Sequence, residues 1–260
     1  MDVRCEAEKE EGGVKSGHGG REQRARLLLE YTIRQLFELS DEQTKSLTKT
    51  LGDAFKDEPF TNVVTNGDVE FFGDFHRSTV VAGLLGGEVY VAENANKDII
   101  GVAVWFGPGR EMFDSEDQQE QGLSIVLNRF KPEHQEWFGG KIPAEVKHAS
   151  WHLQTIATAP EYQRKGIARA FVDVMKAKVR NIPLVDEDSQ SVSPWSAGIV
   201  GLRKLEHSWW LRRLQRRTSD IYEKIGFKRR GEAVTLEGMT GQKFNMWSLS
   251  LETVESKALS

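Results

Sequence analysis

Apolar residues first recur with strand spacing at Tyr31-Thr32-Ile33-Arg34-Gln35-Leu36, the period-2 pattern of a half-buried strand. Ser40-Asp41 then supplies a helix N-cap, with Thr44, Leu47, Leu51, Ala54 and Phe55 at helical spacing behind it. Phe71, Phe72, Phe75, Thr79 and Ala82 share one face of a second helix from about Val69 to Leu84, which Gly86-Gly87 ends. Two β-rich runs follow, Glu88-Val89-Tyr90-Val91-Ala92-Glu93 and Ile99 to Phe106. Their connection, Asn94-Ala95-Asn96-Lys97-Asp98, is turn-forming and predicts an antiparallel hairpin. Ser115 to Val146 is polar, with Leu123, Val126, Leu127 and Phe130 at helical spacing; it reads either as a lid or wall of a cleft or as a packed surface helix and loop.

The strongest pattern lies in the middle of the chain. Trp151-His152-Leu153-Gln154-Thr155-Ile156-Ala157-Thr158 reads as a strand, and Ala159-Pro160 stops it. Gly166 to Val179 reads as a helix whose apolar stripe is Ile167, Ala170, Phe171, Val174, Met175 and Ala177. Farther on, Ile221 to Phe227 predicts a short helix with Gly226 as its C-cap, and Phe227 to Thr235 and Phe244 to Leu251 predict two closing strands.

Composition narrows the class. The 260 residues are 38% hydrophobic, enough to bury a full core in one domain. A net charge of -4 argues against a protein that coats nucleic acid through bulk electrostatics. Residues 1-28 combine paired glycines with both charge signs and read as a disordered tail; 29-254 read as the domain. The single cysteine, Cys5, lies in that tail, so no intramolecular disulfide forms and no metal site rests on thiolates, which points to a reducing compartment. No apolar run reaches the roughly 18 residues of a membrane span, and the N-terminus lacks the apolar core of a signal peptide. The expected location is cytoplasmic, with a nuclear location the alternative.

The loop between the central strand and its helix carries the chemistry. A helix N-terminus presents unpaired amides and partial positive charge, so it attracts anions. Gly166 lets the backbone approach a ligand, Ala168 keeps the next turn small, and Arg164, Lys165 and Arg169 add positive charge. His152 and Gln154, two apart on the strand, are placed on one face with Leu153 and Thr155 on the other, and an imidazole at this position could relay a proton. Glu93, Glu145 and Glu161 are further base candidates, and a water chain would leave no trace in the sequence.

The string Pro160-Glu161-Tyr162-Gln163-Arg164-Lys165-Gly166-Ile167-Ala168-Arg169-Ala170 resembles the acetyl-CoA signature of the GNAT superfamily of N-acetyltransferases, whose pattern is Gln/Arg-x-x-Gly-x-Gly/Ala. Tyr222-Glu223-Lys224-Ile225-Gly226-Phe227 is similar to that family's second block. The resemblance implies an α/β (α+β) fold: a mixed, mostly antiparallel sheet of six to seven strands flanked by helices. It implies acetyl-CoA as co-substrate, with the backbone of Gln163, Arg164, Lys165, Gly166, Ile167 and Ala168 on the pyrophosphate and the strand Ile156, Ala157 and Thr158 paired with the pantetheine arm. Arg169 belongs to the same cofactor set. Tyr222 would protonate the departing thiolate, and His152 is the candidate proton acceptor. The implied reaction is direct acetyl transfer to the primary amine of a small molecule or peptide within a ternary complex; the alternative is an acyl-CoA-binding protein of the same fold with impaired catalysis.

One region departs from the family pattern. Ile182-Pro183-Leu184-Val185 begins the expected next strand, but Asp186-Glu187-Asp188 interrupts it, and residues 186-219 form a basic insert. Along the basic segment 203-217 and the residue before it, Leu202, Leu205, Trp209, Leu211 and Leu214 suggest an amphipathic basic helix, a candidate contact for an acidic partner, membrane surface or nucleic acid. An ordinary surface insertion and a translated intron are the other readings. In the last case the sheet would lack its fifth strand.

Overall fold

A computed structural model describes residues 3–7, 29–141, 151–181, 204–207, 221–239, 241 and 243–252. Its centre is one eight-stranded sheet of β1 (Val3–Ala7), β2 (Leu29–Leu36), β3 (Glu88–Asn94), β4 (Ile99–Phe106), β5 (Trp151–Thr158), β6 (Lys204–His207), β7 (Lys228–Glu237) and β8 (Lys243–Glu252), in the spatial order β1-β2-β3-β4-β5-β6-β8-β7. Every pairing is antiparallel except β5 with β6. The mixed, mostly antiparallel sheet expected from the sequence is therefore the observed one.

Helices cover both faces. On one lie α1 (Asp41–Phe55) and α3 (Val69–Gly86), joined through α2 (Pro59–Val64). Ser40 caps α1 as expected: it accepts from the Gln43 amide, and the Gln43 side chain accepts from the Ser40 amide in return. Leu47, Leu51, Val80 and Ala82 from this layer pack on Val89, Val91, Val102 and Val104. On the other face α7 (Ile167–Arg180) buries Ile167, Phe171, Val172, Met175 and Val179 against Tyr90, Ala103, Trp105 and Leu153. β4 is buried along its whole length because it has helices on both sides.

The polar region after β4 folds into α4 (Glu116–Gln118), a π-helical turn Gln119–Leu123, α5 (Ser124–Leu127) and α6 (Pro132–Lys141). It packs on α2 and α3 through a third cluster in which Phe130 meets Phe71 edge-on at 5.6 Å and His134 stacks on Phe130 at 3.8 Å. Up to Lys141 the region is a packed layer of helices, and 142–146 lie outside the described residues. The packed part also contributes Val126 and Phe138 to the wall of a small cavity.

Three features differ from the sequence reading. Val3–Ala7, placed in the tail, pairs with Leu29–Ile33 as an edge strand. Lys204–His207, inside the supposed basic helix of 203-217, is strand β6, inserted parallel to β5 and antiparallel to β8. The strand after α7 thus comes from within the basic insert; Ile182-Val185 and the rest of 186-219 lie outside the described residues. Finally, Val104 faces Thr155 while Trp105 faces Leu153. Gln154 is therefore the extra residue of a β-bulge, which returns Thr155 to the face of His152 instead of that of Leu153.

Candidate functional site

The bulge at Gln154 coincides with a split in the sheet. β5 pairs with β4 from His152 to Thr158, but with β6 only over Trp151, Leu153 and the residue between them. Beyond Leu153, among the described residues, no strand covers the second edge of β5. Ile156, Ala157 and Thr158, expected to pair with a ligand's amides, lie on this stretch, where no described strand pairs with the second edge.

β5 runs into a short 3₁₀ turn, Pro160–Tyr162, and then into the loop Gln163 to Gly166. Two residues of that loop are left-handed, Arg164 at φ 61° and Gly166 at φ 85°. A left-handed arginine is strained and persists only where the surroundings hold it, as at ligand clamps. Gly166 is the N-cap of α7, and no side chain caps the first turn. The amides of Ile167, Ala168 and Arg169 therefore face the loop at the positive end of a 14-residue helix. Gly101 lets α7 start this close to the sheet: a Cβ there would meet Ile167 at 3.0 Å and the Ala157 carbonyl at 3.1 Å.

The loop side chains are engaged locally. Gln163 Nε2 donates to the Thr158 carbonyl at 3.2 Å, and Lys165 Nζ lies 4.8 Å from the Tyr162 ring centroid. Arg169 donates to the Lys224 carbonyl at 2.5 Å, which ties the first turn of α7 to the helical turn 221–224. That contact seats Tyr222 under α7. Tyr222 is 6% exposed, with its ring edge-on to Phe227 at 5.8 Å. Burial pushes its phenol well above the ordinary range, and the negative charge of Glu58 pushes it the same way.

His152 is fully buried on β5, stacked on Phe106 at 5.7 Å, with Nε2 3.2 Å from Glu111 Oε2. Glu111 is also buried. Its loop is fixed by Asp114, which accepts from Arg110 at 2.9 and 3.0 Å and from the Glu111 amide at 3.1 Å. Sequence reasoning missed Glu111, because an acid in the polar run after Gly109 carries no spacing signal. Of the other base candidates, Glu93 bonds Arg34 at 2.5 and 3.0 Å and so has a structural partner. Glu161 is exposed, and Glu145 is outside the described residues.

Glu58 was missed too. It caps α2, accepting from the Thr61 amide at 2.8 Å and the Thr61 hydroxyl at 3.0 Å, and Thr61 Oγ1 lies 2.8 Å from His76 Nε2. His76 is buried against Phe55, and desolvation lowers its pKa to about 3, so the ring is neutral. No cluster of potential metal ligands occurs among the described residues, and none of their helices is long and apolar enough to cross a membrane.

No family model and no curated protein matches the chain. Among solved structures it is similar to a "histone acetyltransferase HPA2 and related acetyltransferase" from Corynebacterium glutamicum, with 14% identity over 87% of this chain and 98% of that one, TM-score 0.44. It is also similar to the ribosomal-protein-S18-alanine N-acetyltransferase of Escherichia coli, with 12% identity over 88% and 99% of the two chains, TM-score 0.43. A third likeness is to yncA from Salmonella typhimurium, determined with its cofactor acetyl-CoA, with 12% identity over 88% and 98%, TM-score 0.43.

Proposed function

We propose that the chain is an acetyl-CoA-dependent N-acetyltransferase that moves an acetyl group to a primary amine by direct transfer in a ternary complex. The observation that carries this reading is the continuity of two acceptor surfaces. The open edge of β5 from Gln154 to Thr158 leads directly to the uncapped N-terminus of α7 at Gly166. One extended ligand with a diphosphate at one end and amides along its arm fits both surfaces, and coenzyme A has that shape and chemistry. Amides of Ile167, Ala168 and Arg169, with the loop backbone from Gln163, would hold the diphosphate. The backbone of Ile156, Ala157 and Thr158 would hold the arm.

Following the arm from Thr158 back to the bulge covers four strand steps, roughly 13 Å, and brings the thioester to Gln154, where β5 and β6 part. There the amine lone pair attacks the thioester carbonyl, a C–N bond forms and the C–S bond breaks. One proton leaves the amine and one reaches the departing sulfur. Tyr222 is the donor to sulfur. Its raised pKa keeps the phenol protonated until the thiolate appears, and the same dry surroundings raise the basicity of that thiolate, which preserves the driving force. His152, with Glu111 at 3.2 Å to stabilise an imidazolium, is the proton acceptor.

Acetyl-CoA titrated by calorimetry, together with thiol release in the presence of an amine panel, tests the reading. It expects micromolar binding and amine-dependent thiol release. Absence of binding to the intact protein overturns it, and binding without release on any amine favours a non-catalytic acyl-CoA-binding protein.

A further inference from the structure

Between β4 and α4 the chain is tied by a compact set of hydrogen bonds around Glu111. Asp114, with its side chain 8% exposed, accepts four of them: from Arg110 Nε at 3.0 Å and Nη2 at 2.9 Å, from the Glu111 amide at 3.1 Å, and from Gln118 Nε2 at 2.8 Å. The fork of Arg110 fixes direction as well as distance. Gln118 is fully buried, donates also to Ser115 Oγ at 3.1 Å, and accepts from the Phe113 amide at 2.8 Å. Gln119 Nε2 holds the Phe113 carbonyl at 3.0 Å. Phe113 is thus gripped on both sides in a left-handed conformation, φ 66°, which a non-glycine residue keeps only where its surroundings over-determine it. The end of α3 closes the set from behind: a Cβ on Gly86 would lie 2.6 Å from Arg110 Nη2 and would overlap Gln118 Nε2.

We infer that Arg110, Asp114 and Gln118 form a positioning clamp whose task is to hold the Glu111 carboxylate against His152 during acetyl transfer. The inference rests on the acetyltransferase reading, in which His152 takes the proton of the attacking amine. Anchoring the loop does not itself call for an acid at 111. Glu111 is 3% exposed, and a carboxylate taken out of water is destabilising unless charge or hydrogen bonds compensate. A loose loop would turn that side chain back to solvent. The clamp removes this option, because the bond from the Glu111 amide to Asp114 fixes the backbone from which Oε2 reaches 3.2 Å from His152 Nε2. Arg110 neutralises Asp114, so the clamp places no second uncompensated negative charge beside Glu111. When the amine gives up its proton, the imidazolium forms next to a carboxylate already in place, and the loop has no reorganisation to undergo. The clamp residues act through Glu111 and are positioning residues in this scheme.

The test is a mutant cycle of Asp114→Asn and Glu111→Gln in the whole chain. Thiol release with acetyl-CoA and an accepted amine gives kcat and KM, and calorimetry gives the acetyl-CoA Kd. The ring nitrogen NMR shifts of His152 at a fixed neutral pH, assigned with His152→Gln, report the neighbouring carboxylate without turnover. Asp114→Asn keeps the side-chain size and is expected to lower kcat about tenfold, part of what a general base supplies, with amine KM and acetyl-CoA Kd within about twofold. In the Glu111→Gln background the same substitution is expected to cost less than about twofold, because the group it positions is gone. The His152 shifts should move in Asp114→Asn in the direction they move in Glu111→Gln. Arg110→Lys, which keeps the charge pair and gives up the fork, serves where Asp114→Asn folds poorly; it is expected to lose less, with the same dependence on Glu111. An equal effect in both backgrounds, or none, or unchanged His152 shifts, overturns the inference while leaving the acetyltransferase reading intact. Failure of the wild type to bind acetyl-CoA, or to release thiol with any amine, overturns both.

Discussion

Gly166 offers the sharpest separation of folding from binding at this site. Its φ of 85° lies in the left-handed region, where an L residue is disfavoured by about 1–2 kcal/mol. Alanine recovers about 0.4–1 kcal/mol by restricting the unfolded chain, so Gly166→Ala should destabilise by about 1 kcal/mol. In a chain of this size that lowers the melting temperature by about 2–4 °C. Asparagine tolerates the left-handed region far better than alanine, so Gly166→Asn should lose clearly less. The two variants agree in the other property: both add a Cβ beside the amides that begin α7. If the loop cradles a diphosphate, each should weaken acetyl-CoA binding about tenfold, equivalent to about 1.4 kcal/mol. Urea denaturation without ligand gives the first quantity and calorimetric titration of acetyl-CoA the second. An alanine variant as stable as the asparagine variant and the wild type would refute the strain argument. An unchanged Kd in both would refute the cradle.

Tyr222→Phe should reduce turnover about a hundredfold, the lower range for losing a general acid, with the acetyl-CoA Kd within twofold; equal turnover would remove Tyr222 from the mechanism. The same variant has a pH signature. The Tyr222 pKa is raised on folding by burial and then by Glu58, so its contribution is complete below about pH 10 and is lost as pH rises through the folded value. Alkaline denaturation should be shallower in the variant, although Tyr90, also raised by burial and by Glu88, keeps part of the slope. His76 acts at the other end. Its pKa falls from 6.5 to about 3, so the unfolded chain binds a proton that the folded one refuses. Stability should decline between those values by up to about 1.36 kcal/mol per pH unit. His76→Gln keeps a partner for Thr61 and lacks the titration, so its urea midpoint should vary less between pH 6.5 and 4; identical slopes would sink the assignment. In Gly83→Ala the new Cβ would lie 2.5 Å from Val104 Cγ1 and 3.0 Å from Val89 Cγ2. Such overpacking should destabilise by about 1–3 kcal/mol, and a neutral result by urea denaturation would contradict the tight α3–sheet contact.

The chemistry-bearing loop was legible from local pattern because its parts are contiguous. A strand, a stop at Ala159-Pro160, a glycine and an apolar stripe at helical spacing follow one another within Trp151 to Val179. The Ser40 N-cap, the β3–β4 hairpin and α3 were readable for the same reason: each is specified by residues a few positions apart. The bulge at Gln154 was not, since strand alternation assumes a register that only the partner strand sets. Glu111 and Glu58 were not, since each earns its place through contacts with residues distant along the chain or through a turn that other side chains clamp. Lys204–His207 reads as part of a basic helix on its own, and pairing with β5 and β8 makes it a strand, because a vacant slot between two strands offers hydrogen bonds that outweigh local helical preference. The sequence by itself determined most of the elements and the strand–loop–helix unit proposed to hold a diphosphate, which depend on backbone dihedrals and side-chain period. Only the tertiary structure decided where the sheet opens, which acids stand beside His152 and Tyr222, and that the side-chain oxygen of Gln154 is buried without a hydrogen-bond partner. Those are properties of long-range pairing and burial, which no local period encodes.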